Sequence, residues 1–533
     1  MNKIKTLIGF NIGPIGEIMK HSRKTREIWF GSYMFSMLVK MVYDKMDKEK
    51  FQVLKPFSNK DIQKTNTGFF PDRIIASSHE TKAELNSLMI SIIREVKEDF
   101  LEMLNRLIEI EIKEGGELLN SNTRKVLDVY LQMDCVAFDA DDINPKDYIK
   151  ITESYLDALE VSRTYTPGIN EPTCERCLSL PGIIETYVWK DEERKKQKMC
   201  PFCFMKLSAH KLDKVQNETE LSTNKPFPSI MEITADELKE KYEKLFRLLL
   251  ENDEQDIFTD KSIKTDLKDY HKYIALVTAD GDNLGEASKN CNSPQELSEC
   301  LSQFGKQVYN ISKQEFHAEP IYIGGDDLFC MLPMVTKNKT GIVSVFDYIK
   351  MLNELYNNLV SEKVTGTTLS IGVVIAYYKF PLNIALEKMY KQLNEKSKSI
   401  AGKNALSLLF IQHSGNMSGF TSKLDNPVLA KFNEFFINTV NDGKGFPAVN
   451  HKIDKYKNLL LNLRADYQLV NLMEKRFLEG FRSKEQETEF IELMKTALHE
   501  NATVALITGE DALIAMNNLS DMLHILKFVK GDK

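Results

Sequence analysis

The chain has 533 residues, 42% of them hydrophobic, and a formal net charge of −7 at pH 7. This length suffices for three or four domains, and the negative charge argues against a general affinity for nucleic acid, although it leaves room for local basic surfaces. No apolar run approaches the roughly 18 residues of a membrane span, and the start has too short an apolar stretch for a secretory signal. We therefore expect a cytoplasmic protein that makes no membrane contact.

The first 165 residues predict a domain of mixed helices and strands. Residues 4–12 predict a strand, and residues 17–46 predict a long helix or a pair of helices. The segment FFPDRIIASS predicts a turn followed by a strand, and residues 80–118 predict a strongly helical, charge-rich segment.

Four of the eight cysteines form two C-x-x-C pairs, which are separated by 22 residues: Cys174, Cys177, Cys200 and Cys203. This spacing is typical of structural Zn²⁺ sites, while a redox dithiol, a chance arrangement or disulfides are the alternatives. Four sulfur ligands leave no open position for a substrate, so we predict a structural ion. The charged stretch between the pairs predicts a small exposed hairpin, and residues 234–252 predict a helix.

From residue 268 to 412 the elements follow a clearer order. A strand at 273–279 precedes a helix, two strands joined by GGDD, a helix and a further strand, which is the βαββαβ pattern of a ferredoxin-like sheet. In the strand at 369–377 large apolar residues alternate with other residues, which predicts that helices cover one side of the strand only. Beyond residue 413 the pattern predicts only helices, at 427–441, 452–464, 467–480, 484–499 and 503–528.

Two acidic pairs carry the predicted chemistry. Asp280 and Asp282 follow the first strand. Asp326 and Asp327 follow the glycines at 324–325, where the turn is expected, and would lie at its tip. In a ferredoxin-like sheet the first strand lies beside the central hairpin, so the four carboxylates can converge and require a divalent cation, Mg²⁺ or Mn²⁺. Two such ions would activate a ribose hydroxyl and stabilise the leaving pyrophosphate. Glycines at 324–325 would let a triphosphate approach the backbone.

Other interpretations of these acidic residues stay open at this point. They are a solvated acidic turn, a Ca²⁺-type structural loop and a nucleotide-polymerising or cyclising domain, called a palm, that has lost its activity and serves as a scaffold. The segment 280–286 lacks the twelve-residue ligand pattern of a Ca²⁺ loop.

The sequence resembles the large polymerase/cyclase-like subunit of type III CRISPR effector complexes, and is nearest to the Cmr-type branch. The resemblance covers nearly the whole chain and rests on GPIGEIMKHSRKTREIWFGSYMFS, the cysteine pairs, TADGDNLG, YIGGDDLF and TLSIGVVIAYYKFPL followed by GKNAL. Cyclic-di-GMP synthases share the palm but carry glutamate and phenylalanine where Asp327 and Leu328 stand here.

The resemblance implies an α+β multidomain fold with two ferredoxin-like palm domains that face each other. These domains are expected at 1–165 and 268–412, with the zinc knuckle and a helical linker at 166–267 between them. An all-helical C-terminal domain at 413–533 is expected to contact a small partner subunit.

The implied activity is RNA-activated conversion of ATP to a nucleotide messenger such as cyclic oligoadenylate, with release of pyrophosphate. The partners implied are the other subunits of the complex, its guide RNA and a target RNA. Conjugation of AMP to another metabolite such as S-adenosylmethionine, or a non-catalytic scaffold role, are the alternatives. Many family members begin with a His-Asp nuclease domain, but this chain begins on the first palm strand and has no His-Asp dipeptide, so we expect no DNA cleavage.

The resemblance also assigns individual residues. Metal positions fall on Asp280, Asp326 and Asp327, and Asp282 is a further catalytic candidate. Nucleotide contacts fall on Asn283, Gly324 and Gly325, and phosphate contacts fall near Lys398 and Lys403, although helical lysines are usually only solvated. In the first palm Arg23, Lys24 and Ser32 would contact a second nucleotide or RNA, unless they are plain surface residues.

Overall fold

The computed structural model describes residues 4–56, 65, 67–120, 122–162, 172–190, 193–214, 227–251, 256–287, 294–339, 341–442, 484–498 and 509–526, together with isolated positions between 453 and 476. Within these ranges no helix is both long and apolar enough to cross a membrane.

An antiparallel sheet of four strands, in the order β2-β3-β1-β5, forms the N-terminal part of the molecule. Its elements are β1 (Thr6–Gly13), α1 (Ile15–Lys20), α2 (Thr25–Lys45), β2 (Gln52–Lys55), β3 (Arg73–Ser78), α3 (Lys82–Lys113), β4 (Glu117–Leu118), α4 (Thr123–Tyr130), β5 (Gln132–Asp139) and α5 (Tyr148–Ser162). The central strand β1 is buried along its whole length, which fits its apolar sequence. Helix α3 begins with a capping box in which Thr81 and Glu84 bond each other's backbone N–H groups.

A three-stranded sheet follows, built around the hairpin predicted between the cysteine pairs. Its strands β6 (Ile184–Lys190) and β7 (Glu193–Met199) pair antiparallel, and β4 pairs with β6. The helices of this segment are α6 (Pro201–Ser208), α7 (Ile230–Thr234) and α8 (Glu243–Glu251). The helix predicted at 234–252 is wrong in its first half, because a short 3₁₀ turn at Asp236–Leu238 precedes α8.

The second large sheet has six strands in the order β15-β14-β13-β8-β10-β9, all antiparallel except β13 and β14. The elements of this part are β8 (Tyr273–Asp282), α9 (Leu284–Ala287), α10 (Pro294–Glu315), β9 (Glu319–Gly324), β10 (Asp327–Pro333), β11 (Val335–Asn338), β12 (Gly341–Ser344), α11 (Val345–Tyr356), β13 (Thr368–Tyr377), α12 (Leu382–Lys391), β14 (Ala405–Ile411) and β15 (Met417–Lys423). The central strand β8 therefore lies beside β10 of the hairpin, as the sequence predicted.

Two boundaries differ from the prediction. Strand β8 runs three residues further, to Asp282, because Asp282 still pairs with Thr368 of β13. The boundary at residue 412 falls between β14 and β15, which pair with each other over seven residues, so the sheet continues to Lys423.

The C-terminal helices in the described part of the chain are α13 (Pro427–Asp442), α14 (Lys484–Leu498) and α15 (Gly509–Leu526). The helices predicted at 452–464 and 467–480 fall mostly outside the described residues. Helix α13 packs on the second sheet's helices, since Phe432 and Phe436 both contact the ring of Phe346.

Strand β13 is buried on both faces, so its predicted one-sided cover is wrong. Leu369 and Val373 belong to an apolar cluster with α10, α11 and the C-terminal helices. Val374 and Ala376 belong to another cluster, which continues through α12 into the first sheet and the cysteine segment. This second cluster is therefore shared by the two large sheets.

Candidate active site

The GGDD hairpin has a two-residue turn. Gly324 of β9 pairs with Asp327 of β10, which leaves Gly325 and Asp326 as the turn residues. Gly325 has a φ of +67°, a left-handed conformation that favours glycine. Only Asp326 is therefore at the tip, whereas the sequence placed both aspartates there.

The two glycines serve different purposes. A Cβ atom on Gly324 would lie 2.0 Å from Oη of Tyr322, so this glycine makes room for the tyrosine ring and not for a triphosphate. A Cβ atom on Gly325 would meet no heavy atom within 4 Å. Of the two glycines, only Gly325 therefore leaves space for a ligand to approach the backbone closely.

Asp280 and Asp327 are neighbours across strands β8 and β10. The register ends with Ala279 paired with Leu328, and Asp280 and Asp327 are the residues that directly adjoin this pair on the two strands. Both line a cavity of about 300 Å³, here called the carboxylate cavity, which Asp72 of the first sheet's β2–β3 connection also lines. The sequence did not predict Asp72, because nothing in FFPDR shows that it faces the other sheet.

Desolvation between the two sheets makes the charged form of Asp72, Asp326 and Asp327 unfavourable. Desolvation by the surrounding protein, together with the charges of Asp326 and Asp72, raises the pKa of Asp327 to about 7, although Asp327 itself is partly open to solvent. Burial also raises the pKa values of Asp72 and Asp326. A divalent cation would relieve this repulsion, and carboxylate oxygens are the ligands that Mg²⁺ and Mn²⁺ prefer, so the residues fit the predicted ion.

Asp326 lines a second cavity, of about 240 Å³, on the other side of the hairpin. This cavity, here called the inter-sheet cavity, is also lined by Gly325 and by Lys55 and Glu153 of the first sheet's domain. Nζ of Lys55 lies 2.8 Å from Oε1 of Glu153. Sequence reasoning missed both residues, because the only signal is a charged side chain at the end of a strand for Lys55 and within a helix for Glu153.

The predicted convergence of four aspartates is only partly observed. Asp280 and Asp327 share one cavity, Asp326 lines the other, and Asp282 lines neither. Among the described residues, the four cysteines are the only group of three or more His, Cys, Asp or Glu residues whose ligand atoms all lie within 4.8 Å of one another. The aspartates do not form such a group. One reason is that Asp280 forms an ion pair with Lys398.

Asp282 is fully buried and hydrogen-bonded, which argues against the catalytic role predicted for it. Its Oδ2 accepts bonds from Oγ1 of Thr368 and Oγ of Ser370, each 2.8 Å away, and from the backbone N–H of Asn404 at 3.2 Å. Nearby, Nζ of Lys403 donates to Oδ1 of Asn283 at 3.2 Å.

Of the three residues predicted to contact a nucleotide or RNA in the first palm, only one lines a cavity. Ser32 of α2 lines the carboxylate cavity. Arg23 is exposed, and neither it nor Lys24 lines either cavity.

The four predicted cysteine ligands are brought together. Cys174, Cys177, Cys200 and Cys203 are all buried, and their Sγ atoms lie within 4.8 Å of one another. Sγ atoms of Cys177 and Cys200 are 3.9 Å apart, close to the roughly 3.8 Å that a tetrahedral site with Zn–S bonds of about 2.3 Å requires. None of the described cysteines forms a disulfide. The residues therefore fit a structural Zn²⁺ ion.

A backbone contact joins the two sheets next to the hairpin. Gly68 forms an isolated parallel bridge with Tyr322 of β9: its N–H bonds the carbonyl of Ile321 at 3.3 Å, and its carbonyl accepts from Ile323 at 2.8 Å. The first part of the molecule thus adds to the free edge of the second sheet, beside both cavities.

Comparisons with known proteins follow the same division of the chain. A family model described as Cas10/Cmr2, second palm domain, matches residues 273–407, and one described as CRISPR-associated protein Cmr2, N-terminal, matches residues 7–109. The CRISPR system Cmr subunit Cmr2 of Pyrococcus furiosus is 28% identical over 174 residues. That match spans 27% of this chain and only 19% of the relative's length.

Two solved structures are similar to nearly the whole chain. The cryo-EM structure of type III-B Cmr-beta in the apo state matches with a TM-score of 0.61 and 14% identity, over 98% of this chain and 82% of that one. Type III-B Cmr-beta bound to cognate target RNA matches with a TM-score of 0.65 and 14% identity, over 98% and 83%. At this identity the likeness shows a common fold. The two family models and the related Cmr2 point the same way, since each is similar to a Cas10/Cmr2 protein over part of the chain.

Proposed function

We propose that the chain is an RNA-activated nucleotidyltransferase of a type III CRISPR antiviral complex, which converts ATP to cyclic oligoadenylate and releases pyrophosphate. The observation that carries this proposal is the juxtaposition of Asp280 and Asp327 in a cavity that Asp72 also lines. Three carboxylates in one cavity repel each other, so a scaffold would gain nothing from keeping them. An enzyme that holds a cation and a triphosphate needs them.

Asp280 and Asp327 would hold Mg²⁺ or Mn²⁺, with Asp326 beside them on the turn. When bound, such a cation would neutralise phosphate charge and assist an attacking ribose hydroxyl. Gly325 leaves the turn open to a ligand, and Lys398 and Lys403 supply positive charge near Asp280 and Asn283. The cysteine group would hold Zn²⁺ and keep the adjoining segment rigid.

We also propose that both large sheets are ferredoxin-like palms. In the second sheet the order β13-β8-β10-β9, joined by helices, is the order that a βαββαβ unit gives, and β2-β3-β1-β5 repeats it in the first. The domains would then be a first palm to about residue 165, a zinc and linker segment to 267, a second palm and a helical domain. The strand β15 moves the end of the second palm to Lys423.

Partners would be the other subunits of the complex, its guide RNA and a target RNA. Support comes from the similar Cmr-beta structure, which was determined with cognate target RNA. We expect the isolated chain to be nearly inactive and the assembled complex to respond to target RNA.

Replacing Asp327 by asparagine should lower pyrophosphate release at least about 100-fold, because a ligand of the phosphate-binding cation is lost. Release is measured with the assembled complex, ATP, Mn²⁺ and target RNA. The matched control is Asp99→Asn, an exposed aspartate on α3, which should leave release unchanged. Full release by the Asp327 variant would place the chemistry elsewhere.

Mass spectrometry of the small molecules made from ATP decides between the candidate products. Cyclic oligoadenylates support the proposal, and an AMP conjugate formed only with an added acceptor such as S-adenosylmethionine supports the alternative. No product and no pyrophosphate from a complex that binds target RNA would support the scaffold.

A further inference from the structure

We infer that Asp282 is a positioning residue that fixes the 402–404 turn against the end of β8, and not a cation ligand. The inference deepens the proposed function and rests on it, because the turn carries residues expected to meet the nucleotide. Asp282 is 0% exposed and lines neither cavity, so an ion in the carboxylate cavity cannot reach it without a change in structure.

One oxygen of Asp282 connects strand β8 to strand β13 and to the segment just before β14. Oδ2 accepts from Thr368 and Ser370 on the neighbouring strand β13 and from the N–H of Asn404, just before β14. Hydrogen bonds to a charged oxygen are stronger than neutral ones, and a buried carboxylate needs them. The other oxygen, Oδ1, is buried with no hydrogen-bond partner among the described residues.

The turn that Asp282 holds has an unfavourable backbone. Gly402, Lys403 and Asn404 have φ angles of +71°, +48° and +49°, and a left-handed conformation is uncommon for residues other than glycine. Such a run persists only where contacts fix it. Lys423 of β15 bonds the carbonyls of Ala401 and Lys403 from one side, and Asp282 bonds Asn404 from the other.

The 402–404 turn also positions a basic residue, Lys403, beside Asn283. Lys403 donates to Asn283, which follows Asp282 directly and also has a positive φ, of +60°. Lys398, five residues before Lys403, pairs with Asp280, and the neighbouring Ser397 bonds the carbonyl of Ile371 on β13 at 2.7 Å. Asp282 therefore supports the turn from which Lys403 bonds Asn283, while Ser397 separately holds Lys398 beside Asp280.

Two substitutions separate positioning from metal ligation. Asp282→Asn keeps an oxygen that can accept the three bonds but removes the charge that a cation needs, whereas Asp282→Ala removes both. The double variant Thr368→Val/Ser370→Ala removes two of the donors and leaves the carboxylate in place. Asp280→Asn is the comparison for loss of a true ligand.

The full-length chain is used for two measurements that need no turnover. Hydrogen exchange of a peptide spanning residues 400–406 should be at least about tenfold faster in Asp282→Ala and in the double variant, and within about threefold of wild type in Asp282→Asn. Mn²⁺ affinity, measured by electron paramagnetic resonance, should stay within about threefold in Asp282→Asn but fall at least about tenfold in Asp280→Asn.

The assembled complex supplies the third measurement. The KM for ATP should rise about tenfold in Asp282→Ala while kcat changes less than about threefold, and Asp282→Asn should restore most of the loss. Loss of Mn²⁺ affinity in Asp282→Asn equal to that in Asp280→Asn would overturn the inference, because Asp282 would then be a ligand. Unchanged exchange in Asp282→Ala would overturn it as well, since the turn would not depend on Asp282. If the wild-type complex releases no pyrophosphate, the proposed function fails, whereas the exchange and Mn²⁺ measurements still decide the role of Asp282.

Discussion

Gly281, between Asp280 and Asp282, is the point where strand β8 packs against the turn of the GGDD hairpin. A Cβ atom there would lie 2.6 Å from Cδ1 of Leu284, 2.7 Å from Oη of Tyr356 and 2.9 Å from Cβ of Asp326. The requirement for glycine comes from the fold, because Tyr356 belongs to α11 and Asp326 to the turn.

Gly281→Ala should lower stability by about 2 kcal/mol, because neither Tyr356 nor Asp326 can move without disturbing the core or the turn. The measurement is the midpoint of chemical denaturation. Gly285→Ala is the matched control: a Cβ atom there meets no heavy atom within 4 Å, so no loss is expected. Equal midpoints for Gly281→Ala and wild type would show that the hairpin yields to the extra carbon.

A histidine ion pair gives the molecule a pH-dependent contact. Nδ1 of His317, between α10 and β9, lies 2.6 Å from Oδ2 of Asp236 in the linker segment. The hydrogen bond with Asp236 raises the pKa of His317 above its usual 6.5. Burial of Asp236 is outweighed by its bonds with His317 and Lys239, so that its own pKa is lowered.

The contribution of His317 to stability is therefore fully present below about pH 6.5 and is lost as the pH rises through the raised pKa. His317→Asn, which tolerates the positive φ at this position, should cost up to about 1 kcal/mol near pH 6 and almost nothing near pH 9. Thermal midpoints of both proteins at the two pH values provide the test. A cost that grows with pH would contradict the ion pair.

Among the elements, the cysteine segment and helix α2 are held together by a buried ion pair. Arg176, between Cys174 and Cys177, pairs with Glu27 in the first turn of α2, and their side chains are only 9% and 2% exposed. Glu27 also accepts the backbone N–H of Arg23 at 2.8 Å. The cysteine segment thus fixes the start of the helix that carries Ser32 into the carboxylate cavity.

Arg176→Ala should lower stability by about 3 kcal/mol, because it leaves Glu27 buried without its partner. Arg106→Ala on α3 is the control: Arg106 and its partner Glu102 are 52% and 63% exposed, so a change below about 0.5 kcal/mol is expected. Denaturation midpoints measure both. Equal effects of the two substitutions would mean that the pair with Glu27 is solvated.

The elements that the sequence predicted well are those whose pattern is local. Apolar and charged patterns predicted β1, α3 and the β6–β7 hairpin, and cysteine spacing predicted a group that meets in the fold. Asp72, Lys55 and Glu153 escaped prediction because their place in the cavities depends on how the two sheets pack. The buried position of Asp282 depends on the register of β8 with β13, which no local pattern encodes.

For the molecule as a whole, the contact at Gly68 sets how the two sheets meet. A Cβ atom on Gly68 would lie 3.0 Å from Cβ of Ser36 and 3.4 Å from the ring of Tyr322. Ser36 and Tyr322 both line the carboxylate cavity, so a shift here moves the two halves of the site relative to each other.

Gly68→Val should therefore lower pyrophosphate release at least about tenfold, since small displacements of catalytic groups are costly. The loss of release should be much larger than any fall in the denaturation midpoint would explain, because the protein should remain folded. Gly16→Ala is the control, because a Cβ atom at Gly16 meets no heavy atom within 4 Å. Normal release by Gly68→Val would show that the two sheets keep their relation without this contact.

Both outer strands of the six-stranded sheet are shielded by other parts of the chain. Gly68 bonds to β9, and Asn518 of α15 donates to the carbonyl of Thr421 on β15 at 3.1 Å. An unshielded outer strand offers unpaired backbone groups to any neighbouring molecule. A second palm expressed without these segments would thus be prone to self-association through its outer strands. Transfer of the GGDD domain to another protein would require the segments that cover these strands as well.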